Sequence, residues 1–80
     1  MDNREKLKNL VMDVFLLEEK DFSFELTWEQ VDSWDSLGMV ALAVGIDQTF
    51  GYHMTVADSK VKGVREIIDL LETKGIHFGD

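Results

Sequence analysis

The 80-residue chain has no cysteine and no proline, and only half as many basic residues as acidic ones. Without cysteine there is neither a disulfide staple nor a thiolate metal site, a usage that fits a reducing compartment. Any thiol chemistry must therefore come from a group added to the chain. No run approaches the roughly 20 apolar residues that span a bilayer, and Met1-Asp2-Asn3-Arg4 lacks the apolar core of a secretion signal. These absences predict a soluble, unprocessed, cytoplasmic protein. Eight Lys and Arg against sixteen Asp and Glu give a formal net charge of −8. That balance argues against a nucleic-acid phosphate backbone as partner and favours basic protein surfaces. Plain solubility is served by the same charge. No Pro or Ser/Gly-rich linker, repeat or low-complexity tract divides the chain, so residues 1–80 read as one domain. A chain this short buries only about 60% of the surface it exposes when unfolded, a modest margin that an efficient helical core would satisfy.

What is present is organised around Asp35-Ser36-Leu37, with Trp34 before it and the apolar run Met39 to Phe50 after it. A loop ends and a helix begins here, so Ser36 or Asp35 is placed to cap the free N–H groups of the first turn. The helix is predicted over 36–50, with Gly51 closing it as a C′ residue. At about 100° per residue, Met39, Leu42, Ala43, Ile46 and Phe50 share one face, while Leu37, Val40, Ala41 and Val44 share nearly the opposite one. A helix apolar on two sides is either central to a bundle or carries a partner site. Gly38 and Gly45 each cost such a helix up to about 1 kcal/mol relative to Ala, which points to close approach by a partner or a neighbouring helix.

Upstream, a first helix is predicted from about Arg4 to Leu17, capped by Asn3. Leu7, Leu10, Val11, Val14 and Phe15 form its buried stripe. Basic residues near its start and Glu18-Glu19 near its end are the arrangement the helix dipole disfavours. Residues 18–33 read as a long connection whose apolar members, Phe22, Phe24, Leu26, Trp28 and Val31, must largely dock on the core. Within it, Thr27-Trp28-Glu29-Gln30 has the form of a capping box. Downstream, a short third helix is predicted over 55–61, starting near Thr55 or Asp58. A last helix is predicted over 64–73 between Gly63 and Gly75, with Val64, Ile67, Ile68 and Leu71 inward. The tail Ile76 to Asp80 either docks through Ile76 and Phe78 or frays.

Other chemistries find little support. His53 and His77 are far apart in sequence, without the helical spacing of a metalloprotease motif, and read as surface or packing residues. Asp32 and Asp35 do not open a calcium loop. A Gly-rich phosphate loop and a nucleophile elbow are both missing. Met39 and Met54 read as core fillers, and Trp34 either packs the loop on the second helix or presents an aromatic surface.

Asp35-Ser36-Leu37, the downstream Phe50-Gly51 and the helix-like segments on either side resemble the acyl carrier protein family over nearly the whole chain. The resemblance implies an all-α, four-helix bundle: three longer helices, one short third helix and a long loop between helices one and two. It also implies that Ser36 receives 4′-phosphopantetheine from a separate phosphopantetheinyl transferase using coenzyme A and Mg²⁺, the metal belonging to that enzyme. Asp35 and Leu37 would complete the attachment motif, and Leu37, Val40, Ala41, Val44 and Asp47 would form the docking surface. The chain itself would be a monomeric carrier rather than an enzyme, without catalytic residues or a metal of its own. It would hold acyl groups as thioesters for acyl-loading, modifying or transferring enzymes of fatty acid, lipid or specialised acyl and polyketide biosynthesis. A cavity lined by Leu42, Ile46, Ile67 and Leu71 would shelter a fatty chain.

Two departures from the family matter. The second helix offers only Asp35 and Asp47 where carriers of fatty acid synthesis place several acids, which shifts recognition toward the apolar strip and away from the usual fatty acid synthase enzymes. The third segment lacks the Pro often found in its counterpart. Aminoacyl, peptidyl or D-alanyl carriage thus stays open, as does an unmodified helical interaction module.

Overall fold

The computed structural model describes residues 2–78, and among these the chain is all-helical, with no strand. Three α-helices carry the architecture: α1 (Asn3–Phe15), α2 (Ser36–Phe50) and α3 (Val64–Thr73). Three single 3-10 turns, Glu19–Asp21, Trp28–Gln30 and Asp58–Lys60, punctuate the connections.

Helix α1 begins and ends earlier than predicted. Asp2, not Asn3, is its cap, accepting the Glu5 N–H at 2.9 Å. Leu16 takes a left-handed backbone (φ 56°) that stops the helix two residues before Glu18. The acidic pair therefore lies outside α1 and does not oppose its dipole; Glu19 instead pairs with Lys8 at 2.9 Å. The basic start of α1 has a local reason as well. Arg4 donates through Nε to the Phe78 carbonyl at 2.9 Å and sits over the Phe24 ring, while Asn3 donates to the His77 carbonyl. The tail is thus docked through residue 78, with Phe78 buried against Phe50; Gly79 and Asp80 lie outside the described residues.

The core takes Leu7, Val11 and Phe15 from α1, Met39, Leu42 and Ile46 from α2, and Val64, Ile67, Ile68 and Leu71 from α3. Each fully buried aliphatic side chain contributes about 1.5–3 kcal/mol relative to exposure. Leu26, Val31, Trp34, Met54 and Phe78 complete it from outside the helices. In the long connection the docking expectation holds in full for Leu26 and Val31. Phe22 and Phe24 are half-buried, packed edge to face, and Trp28 stays 46% exposed.

Two features place α2. Its glycines turn toward α1: a Cβ at Gly45 would overlap the Leu10 side chain, and one at Gly38 would overlap the Ser33 carbonyl oxygen and the Phe15 ring. The close approach foreseen at these positions is therefore made by a neighbouring helix and its flanking loop. The connection before α2 is meanwhile stitched to the start of α3. Thr27 bridges Gly63, the Trp28 N–H donates to the Lys62 carbonyl at 2.8 Å, and the Val64 N–H donates to the Leu26 carbonyl at 2.9 Å. The predicted capping box is present at Thr27–Gln30.

The short third helix is smaller than predicted. Thr55 and Asp58 exchange hydrogen bonds, the Thr55 N–H donating to the Asp58 carboxylate and the Asp58 N–H to the Thr55 hydroxyl oxygen. These bonds close a turn, but Val61 is already extended (φ −58°, ψ 141°), so helical structure is confined to the 3-10 turn Asp58–Lys60.

Candidate functional site

The start of α2 assigns different jobs to adjacent residues. Asp35 keeps an extended backbone and its Oδ1 accepts the Gly38 N–H at 2.9 Å, while its carbonyl accepts the Met39 N–H at 2.8 Å. Such a cap is worth about 1 kcal/mol. Because the carboxylate fills that role, Ser36 is the first residue of the helix proper, exposed, with its hydroxyl outside the cap. One residue before the cap, Trp34 is buried and stacks on Phe15 at 4.9 Å between ring centroids. The packing role for Trp34 is the one realised, and it fixes the pedestal of Ser36 to α1.

From Ser36 a groove of about 770 Å³ runs along α2. Its α2 wall is a stripe that recurs turn by turn: Ser36, Met39, Val40, Ala43, Val44 and Asp47. The facing wall is segment 53–62, irregular apart from the 3-10 turn Asp58–Lys60, in which Met54 is buried and Val56 lies 86% exposed at the rim. Trp28 and Trp34 complete the lining. Among the sequence-predicted residues, Asp35, Ser36, Val40, Val44 and Asp47 meet in this groove. Leu37, 81% exposed, and Ala41 lie on the adjoining open surface of α2. Leu42, Ile46, Ile67 and Leu71, foreseen as lining a cavity, are all fully buried in the core, and none of them lines the groove. Open space lies on another flank of α2, between it and segment 53–62.

Charges in the groove are balanced, unlike those of the chain. Asp35 and Asp47 on one side face a lining that includes Lys60 and Lys62, and His53 Nδ1 stands 3.6 Å from Asp47 Oδ2. The facing wall is tied at its base by the Tyr52 hydroxyl, which donates to Asp58. That bond holds the Tyr52 phenol above its ordinary range. Asp58 is held below the usual carboxylate range, first by the Thr55 N–H and then by Tyr52. Lys74 lies over the Tyr52 ring.

Sequence reasoning missed the whole facing wall and Trp28. The only local signal was apolar: Met54, Val56 and Val61 in a stretch without helical period. Their convergence on α2 depends on the Thr27 to Gly63 stitch, which no sequence spacing reveals.

Comparison with known proteins bears on what such an arrangement is for. The chain is similar to an acyl carrier protein. That relative, from Coprothermobacter proteolyticus, is 29% identical over 70 residues, covering 86% of this chain and 85% of its own length. Coverage of that extent takes in all of α2 and the groove. No family model and no solved structure matches the chain. The likeness supports a carrier role. No helix among the described residues is long and apolar enough to cross a membrane.

Proposed function

We propose that this chain is a single carrier domain on which a phosphopantetheinyl transferase joins 4′-phosphopantetheine to the Ser36 hydroxyl. The observation that carries the reading is the mounting of Ser36: exposed, first in a capped helix of 15 residues, at the head of an apolar groove. The residues fit the group. Asp35 supplies the cap, so the Ser36 Oγ is not committed to it, and the N-terminus of α2 favours the negative charge of a phosphodiester. No internal base is needed, because the transferase and its Mg²⁺ activate the attack and stabilise charge on the phosphoryl group. Once attached, the arm supplies a thiol that holds acyl groups as thioesters.

Partner enzymes then dock on Leu37, Val40, Ala41 and Val44, with Asp35 and Asp47 as the charged contacts. With only two acids along this surface, encounter relies on apolar burial more than on electrostatic steering. The acyl group is sheltered in the groove between α2 and segment 53–62, against Met39, Val40, Ala43, Val44 and Met54. Long acyl groups therefore raise the melting temperature of the carrier, since a ligand bound only by the folded state stabilises it. The protein works as a cytoplasmic monomer in fatty acid, lipid or specialised acyl biosynthesis.

The sparse acids of α2 favour a second reading within the same chemistry, in which an adenylating enzyme loads an amino or hydroxy acid. An unmodified interaction module using the same strip is the reading outside it. Intact mass after incubation with coenzyme A, Mg²⁺ and a broad-specificity transferase decides the matter. Wild type gains one phosphopantetheine and a titratable thiol, and Ser36→Ala gains neither. An unchanged wild-type mass refutes the proposal.

A further inference from the structure

The two walls of the groove carry opposite charge. Asp35 and Asp47 stand at the ends of the α2 wall, while the facing wall has Lys60 and Lys62. These two lysines are exposed and unpaired. Of the eight basic residues, Arg4, Lys8, Arg65 and Lys74 are engaged by the Phe78 carbonyl, Glu19, Glu25 and the Tyr52 ring. Lys6, Lys20, Lys60 and Lys62 have no side-chain partner among the described residues. The carboxylates nearest the last two in sequence are already committed, Asp58 to the Thr55 N–H and the Tyr52 hydroxyl, and Glu66 to the main-chain N–H of Lys62. Val40 and Val44 on one wall and Val56 on the other are more than half exposed, whereas Met39 and Met54 are buried below them. A protein surface can therefore cover the rim without filling the floor.

We propose that the partner enzymes of this carrier meet Lys60 and Lys62 with acidic groups, on a docking surface that is apolar at its centre and basic only where it faces the α2 wall. The inference rests on the docking along α2 proposed above and names the chemistry of what docks there. The net charge of −8 taken alone calls for a uniformly basic partner. Range decides between the two. Exposed charges separated by more than about 8 Å are largely screened at physiological salt, so acids elsewhere on the chain steer weakly while a group at the rim acts in contact. A uniformly basic surface would press like charge on two unpaired ammonium groups, and such juxtaposition is how wrong partners are rejected. An acidic group instead gives each lysine the counter-charge that its own chain does not supply. An amphipathic helix with unlike flanks has this form.

Two synthetic helical peptides with the same leucine face test this on the unmodified protein, so the outcome does not depend on attachment at Ser36. One carries Lys along one flank of that face and Glu along the other; its counterpart carries Lys along both. Amide resonances of α2 and segment 53–62 follow binding at about 0.15 M salt. The mixed peptide binds about threefold tighter, the yield of one or two exposed ion pairs. Lys60→Glu combined with Lys62→Glu reverses the preference. Lys6→Glu combined with Lys20→Glu, at exposed positions outside the groove lining, changes the net charge by the same amount and leaves the preference as it was. Equal or tighter binding of the all-basic peptide to wild type, a preference that survives in the groove variant, or a control that moves it as far each overturn the proposal. Peptides that both leave these resonances unmoved refute docking on α2 itself, and the inference with it. Dilution of the protein alone that shifts the same resonances also overturns it, since a second copy then covers this surface.

Discussion

Helices α2 and α3 use their apolar residues differently. In α3 all the strongly apolar positions but Leu70 are buried, as Val64, Ile67, Ile68 and Leu71, and the remaining positions are charged apart from Thr73. Helix α2 buries Met39, Leu42 and Ile46 and then repeats the expenditure outward, leaving Leu37, Val40 and Val44 more than half exposed. In a domain this small, apolar surface withheld from the core does nothing for folding. The contrast separates a helix that holds the protein together from one whose outward strip the proposed docking would use.

Three experiments sharpen or break that contrast. The largest effect is expected from truncation on the two helices. Leu71→Ala removes a fully buried side chain and costs about 2–5 kcal/mol, enough to unfold much of a marginal domain. Val44→Ala changes stability by no more than about 0.5 kcal/mol. Chemical denaturation measures both, and equal losses would erase the distinction.

A smaller effect separates the two glycines of α2. Gly38→Ala forces a methyl against the Ser33 carbonyl oxygen and the Phe15 ring, a backbone and a core aromatic that yield poorly, at a cost of about 1–3 kcal/mol. Gly45→Ala meets only the Leu10 side chain, which can turn aside, and its gain in helix propensity of up to about 1 kcal/mol offsets the crowding. Melting temperatures that fall equally for the two would place the tight contact elsewhere.

The smallest effect concerns the facing wall. Asp58 is held below its ordinary pKa by the Thr55 N–H and the Tyr52 hydroxyl, so its contribution is present above the unfolded carboxylate pKa and is lost as pH falls through the lower folded value. Tyr52 is held above its ordinary pKa, so its share is present below the unfolded phenol pKa and fades as pH rises through the folded one. Asp58→Asn therefore flattens the acid limb of the stability profile and leaves α3 intact. Resonances of residues 53–62 followed against pH report it, and an unaltered acid limb would show that the tie carries no weight.

How far the sequence was legible follows from where its signals are local. The bounds of α2 and α3 could be read because Asp35, Gly51 and Gly63 mark ends within one turn of the residues they govern. Even so, adjacent Asp2 and Asn3 compete for one cap, and the choice between them went the other way in the fold. The third helix was overread because Thr55 and Asp58 signal how a turn opens and nothing nearby signals how soon it ends. Ser36 and the exposed strip were likewise visible in advance, as a junction and a period. The groove was not foreseen because its second wall comes from a segment whose position depends on pairing between residues 26–28 and 62–64.

The stack of Trp34 on Phe15 has a mechanical corollary. It pins the chain to α1 two residues ahead of Ser36, so whatever is hung from that oxygen swings from a stationary pivot. Under the attachment proposed at Ser36, a catalyst that grips α2 would meet a sweep of fixed origin and radius, and would need only to catch the free end.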